Sequence, residues 1–153
     1  MIETTISMLP IAYLAATAIP LVAIDIKEHR LPNKIVLPMI AITFLSQLTL
    51  AIWTGAWASL GISVGLGLAV LVLGVLMNYR DWIGMGDVKL LTGLTMILSW
   101  FTLLGAVLLV PISLAFGFVV TILSMFTKKS RRVLPLGPAI LATFATTLAI
   151  ALS

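Results

Sequence analysis

Residues 90–127 contain no charged side chain. A membrane-crossing helix takes about 20 predominantly apolar residues, within a range of about 17–25. The stretch is therefore too long for one span. Ser99-Trp100 is the natural place to divide it, since tryptophan favours the membrane interface. The rest of the chain is of the same kind: 61% of its 153 residues are hydrophobic, 9% are charged and the mean hydropathy is +1.24. Soluble domains carry about 25% charged residues, and a water-soluble core of this length could not bury so much apolar surface. The chain reads as an all-α integral membrane protein, a single polytopic domain over residues 1–153. A closed β-barrel is disfavoured because the apolar runs are continuous rather than alternating.

Six transmembrane helices are predicted. They cover residues 5–24, 35–53 and 58–77, a short fourth from Val88 to the Ser99-Trp100 divide, a fifth to about residue 126, and a sixth over 133–152. The charges test this division. Lys27, Arg30 and Lys34 fall between spans one and two, and Arg80 and Lys89 between three and four. Lys128, Lys129, Arg131 and Arg132 fall between five and six. All nine basic residues thus lie on one side, with only Glu3 on the other. Basic loops face the cytoplasm, so both termini are predicted outside. "KKSRR" (128–132) reads as a topology signal, and the net charge of +4 follows from topology, with no nucleic-acid partner expected. The N-terminus lacks the basic start and cleavage site of a signal peptide and reads as a retained first span. Cysteine is absent, which excludes disulfides, thiol nucleophiles and Cys-zinc sites.

The five acidic residues carry the chemistry. Glu3 is on the outer side, and Glu28 and Asp81 sit beside basic residues in loops. Asp25 and Asp87 differ: the topology places both at the inner membrane face, at the same depth, where a carboxylate is costly and marks a functional site. Asp87 also fits the N-cap of the fourth helix, accepting backbone N–H bonds. Asp25 ends a helix, where the macrodipole disfavours an anion, so its structural alternative is an ion pair with Lys27, Arg30 or Lys89. Two carboxylates meeting across a water molecule cannot both ionise easily and titrate as a unit. One then acts as base on a water that attacks an amide carbonyl, and the other as acid, which is aspartic-protease chemistry. Gly84 and Gly86 beside Asp87 would allow positive φ and the close approach of a substrate strand.

"GMGDVKLL" (84–91) resembles the GxGD motif of the type IV prepilin peptidases, membrane aspartic proteases. "DIKEHRLPNK" (25–34) is similar to that family's first aspartate with its basic stretch and Pro-Asn, and "LPLGP" (134–138) to a late Pro-x-Gly-Pro element. The resemblance implies a GxGD protease core with Asp25 and Asp87 as the catalytic pair. Gly84, Gly86, Lys89, Pro32, Asn33, Pro135, Gly137 and Pro138 would shape the site or face substrate. It implies no metal and no cofactor. The substrate would be a prepilin or pseudopilin, a short basic leader followed by an apolar helix, cut where the leader meets the cytoplasmic membrane face. Larger members carry an N-terminal cytosolic segment with cysteine pairs, associated with methylation. Its absence here resembles the short, peptidase-only branch of Flp/Tad-type pilus systems, without methyltransferase activity.

Other readings compete with this one, among them a non-enzymatic assembly or anchoring protein, for which neither aspartate would matter. "GISVG" (61–65) fits the serine-hydrolase pattern G-x-S-x-G, but Ser63 is predicted near the outer membrane face and His29, the only histidine, near the inner one. Gly61, Gly65 and Ala69 are instead predicted to form a small-residue packing face. A proton- or ion-coupled transporter subunit would also use intramembrane acids, but nearer the midplane, where this chain has no charge.

Overall fold

The computed structural model describes residues 2–28, 31–79, 84–109, 111–112 and 137–152. The described residues are all-helical. The helices are α1 (Ile2–Glu28), α2 (Asn33–Thr54), α3 (Trp57–Asn78), α4 (Met85–Phe101), α5 (residues 103–109 and 111–112) and α6 (Gly137–Leu152). α1, α2 and α3 are each long and apolar enough to cross a membrane, with mean hydropathies of 1.9, 2.1 and 2.5. Their outward faces are apolar: Ile19, Phe44, Leu45, Leu68, Val72 and Leu76 are all exposed. A bundle that turns leucines and phenylalanine outward is built for a lipid surround, where the hydrophobic effect does not drive them inward.

Sequence chemistry sets the ends of these helices. α2 starts after Pro32, whose fixed φ of −71° and extended ψ of 124° suit the residue before a helix. The Pro32 carbonyl accepts from the Ile35 and Val36 N–H groups. α2 stops at Gly55, which adopts the left-handed φ of 73° and donates its N–H to the Ala51 carbonyl at 3.0 Å. Exposed Trp53 and Trp57 flank this turn, as interfacial tryptophans do. The predicted divide near Ser99-Trp100 falls at Thr102, which is extended (φ −151°, ψ 119°) between α4 and α5.

α4 is the hub. It packs against α2, α3 and α6, while α1 packs against α2 and α6. Every residue from Leu90 to Leu98 is buried. α4 begins at Met85, inside the glycine motif, rather than near Val88, and α1 runs past Asp25 to Glu28. Glycines let α4 come close to its neighbours. A Cβ at Gly67 of α3 would lie 2.6 Å from Met96 Cγ, and one at Gly74 would collide with Val88. On α4 itself, a Cβ at Gly93 would strike Met39 of α2.

The predicted packing stripe on α3 is corrected by this arrangement. Gly61, Gly65 and Ala69 are exposed, and a Cβ at Gly61 or Gly65 would meet nothing within 4 Å. The packed face is Ser63, Gly67 and Gly74, offset by two residues and so on the far side of the helix. Polar groups explain the choice of face. Gln47 of α2 donates to the Met96 carbonyl at 2.7 Å, and Ser63 Oγ lies 2.6 Å from Gln47 Oε1 and 3.0 Å from the same carbonyl. An amide and a hydroxyl in hydrocarbon must find partners within the protein, so they turn α2 and α3 toward α4.

Candidate active site

Asp25 and Asp87 come from helices that run in opposite senses. Asp25 lies in the last turn of α1 and Asp87 in the first turn of α4, so chain direction brings them to the same end of the bundle. Both line one cavity of ≈ 460 Å³, together with Leu31, Asn33, Gly84, Met85, Gly86 and Lys89. Asp25 is buried, 4% exposed, and the two carboxylates are near enough for their charges to interact. The rest of the bundle interior is apolar or hydroxyl-bearing apart from Gln47, so this cavity is where the described chain concentrates charge.

Asp87 is not the N-cap of α4. That position is Gly84, in an extended conformation (φ −67°, ψ 141°), which has no side chain to cap the helix. Asp87 sits three residues on, at the position where an acid can reach back toward the cap. A Cβ on Gly84 would stand 3.1 Å from Asp87 Oδ2, so the bare Gly84 backbone gives the carboxylate its room. Gly86 serves a different contact. A Cβ there would lie 2.9 Å from Leu31 Cβ and 3.1 Å from the Leu31 backbone nitrogen. The expectation of positive φ at these two positions is therefore corrected: among the described glycines only Gly55 has positive φ. Close approach of backbones, not left-handed conformation, is what Gly84 and Gly86 supply here.

The α1–α2 connection and the start of α4 are fastened twice. Leu31, buried, lies against Gly86, and Lys89 Nζ donates to Asn33 Oδ1 at 3.0 Å. The structure thus gathers Asp25, Asn33, Gly84, Gly86, Asp87 and Lys89 around one space. Pro32 is not among the described lining residues and acts as the α2 N-cap. Gly137 and Pro138 open α6, with proline in the first turn where its missing N–H costs nothing, and neither is among the described lining residues. Pro135, His29, Arg30, Arg80, Asp81 and the "KKSRR" run lie outside the described residues. Leu31 and Met85 are lining residues that the sequence did not single out. Leu31 had a signal, its place just before Pro32 in the charged segment. Met85 had its place inside the glycine motif.

The model of the type IV leader peptidase family matches residues 12–126, well over half of the chain. The chain belongs to that family. No curated protein and no solved structure gives a significant match. The match spans both segments that form the cavity, from α1 through α5, and makes a membrane peptidase the frame in which the cavity is to be read. The rival serine pattern has no place in that frame. Ser63 is fully buried, and its hydroxyl is engaged with Gln47 and the Met96 carbonyl as a packing contact.

Proposed function

We propose that this leader peptidase is an aspartic endopeptidase of six membrane spans. It removes the basic leader from a prepilin or pseudopilin at the cytoplasmic face of a bacterial or archaeal inner membrane. The single observation that carries the reading is the meeting of Asp25 and Asp87 in one cavity at one end of the bundle. One carboxylate, ionised, takes a proton from a water held between them. The hydroxide equivalent adds to the scissile carbonyl, and the other carboxyl donates its proton to the carbonyl oxygen. Collapse of the tetrahedral species breaks the C–N bond, with a proton passing to the leaving amine. Lys89, tethered by Asn33, puts a cation beside this space, and the bare Gly84 backbone leaves room for the Asp87 carboxyl. A transporter subunit is less well supported, because the acids lie at a helix end and not along a path through the midplane.

The test is co-expression of a tagged Flp-like prepilin from the same genome with wild type, Asp25→Asn and Asp87→Asn, each checked for membrane insertion. Wild type shortens the precursor on a gel, while both variants insert normally and leave it uncut. Processing by either variant overturns the assignment.

A further inference from the structure

α3, α4 and α5 enclose a second space, an apolar groove of ≈ 270 Å³ open on the flank of the bundle. Its α4 wall is Val88, Leu91 and Thr95, and its α3 wall includes Ala69 and Leu73. Three features set it apart from an ordinary lipid-facing furrow. It starts one residue from Asp87, and Asp87, Leu91 and Thr95 follow one another at the four-residue spacing that makes a single ridge along a helix. The row climbs about 12 Å from the carboxylate into the bundle, at 1.5 Å per residue. Its α3 side carries a small residue, Ala69, at mid-helix, which favours the close approach of another helix. Thr95, 1% exposed, has a hydroxyl with no hydrogen-bond partner among the described residues, although Thr92 one turn earlier bonds back to the Val88 carbonyl at 2.9 Å. A lipid acyl chain cannot satisfy that hydroxyl, whereas a substrate helix that carries a hydroxyl or amide side chain among its apolar residues can.

We infer that this groove seats the apolar helix of the substrate, with its leader end at Asp87. The inference rests on the peptidase reading above and adds to it an address for the part of the substrate that is not cut. A substrate whose leader stays at the membrane face must send its apolar helix into the bilayer from the scissile bond, and this groove runs that way from the carboxylate. Binding along it supplies affinity that ground state and transition state share, so it acts on KM with kcat little changed.

The experiment uses the full chain in proteoliposomes with a full-length prepilin and with a short leader peptide ending a few residues past the scissile bond. Wild type cleaves both. Ala69→Trp and Leu73→Trp fill the groove from exposed positions, and KM for the full-length precursor rises about tenfold with kcat little changed. Cleavage of the short peptide is unaffected, and Val72→Trp, also exposed but outside the groove, changes neither. In an Asp87→Asn background, a photocrosslinking residue at Leu73 captures the precursor through its apolar helix, and one at Val72 does not. If wild type cleaves precursor but Leu73 captures only lipid, a second copy or residues 113–136 of its own chain, the groove has another occupant and the inference is overturned while the peptidase reading stands. Equal loss on both substrates, or no loss on either, overturns it as well. If wild type cleaves neither substrate, the peptidase reading fails and takes the inference with it.

Discussion

At the scale of single residues, Gly86 is the most exposed to test. Its missing Cβ lets the start of α4 lie against Leu31, and Leu31 forms part of the same wall as Asp25 and Asn33. In Gly86→Ala the new methyl meets backbone as well as side chain, so the connection between α1 and α2 has to move. Misplacing a catalytic group by about 1 Å can cost about 100-fold, and Gly86→Ala is expected to lower kcat/KM by about 10–100-fold in a membrane cleavage assay. Gly84→Ala meets only the far end of the Asp87 carboxyl, at 3.1 Å, and its φ of −67° suits alanine. Its loss is expected to be smaller, with insertion unchanged in both. Equal activity of Gly86→Ala and wild type would remove Leu31 from the architecture of the site.

At the scale of elements, the first three spans and the α4–α5 break were legible, and the facing of α3 was not. Spans one to three stand out because each is a long apolar run closed by Pro, Gly or charge. The α4–α5 break is marked by Ser99-Trp100, within a few residues of Thr102. α3 offers two stripes of small residues, Gly61-Gly65-Ala69 and Ser63-Gly67-Gly74, and periodicity alone cannot choose between them. The buried Gln47–Ser63 contact makes the choice, and a lone amide in an apolar span was the available signal. The two aspartates were legible because charge is scarce here, while Leu31 and Met85 are hidden among many like them. The packed stripe predicts an asymmetry in stability. Gly74→Ala drives a methyl into Val88 and is expected to destabilise by about 1–3 kcal/mol, the usual cost of overpacking. Gly65→Ala meets nothing within 4 Å and is expected to be neutral or to stabilise by about 0.5–1 kcal/mol through helix propensity. Thermal unfolding of the two variants in detergent reads the difference, and the reverse order would turn α3 around.

At the scale of the whole molecule, function depends on which way the cavity faces. A basic leader is held on the cytoplasmic side, so the proposed cleavage requires Asp25 and Asp87 at that face. α2 ties this requirement to accessible positions. It runs 22 residues from Asn33, which lines the cavity, to Thr54 beside the tryptophan-flanked turn. That is about 33 Å of helix, enough to cross a hydrocarbon core of about 30 Å. Exposed Lys34 therefore reports the cavity end, and exposed Trp57 the opposite end. Because the chain has no cysteine, Lys34→Cys, Trp57→Cys and Glu3→Cys each give a single thiol. With a membrane-impermeant maleimide, Lys34→Cys is expected to label in inside-out vesicles, and Trp57→Cys and Glu3→Cys in right-side-out vesicles. The inverse pattern would open the cavity outward, away from any retained leader, and the proposed substrate would have to be abandoned even if the two carboxylates proved catalytic.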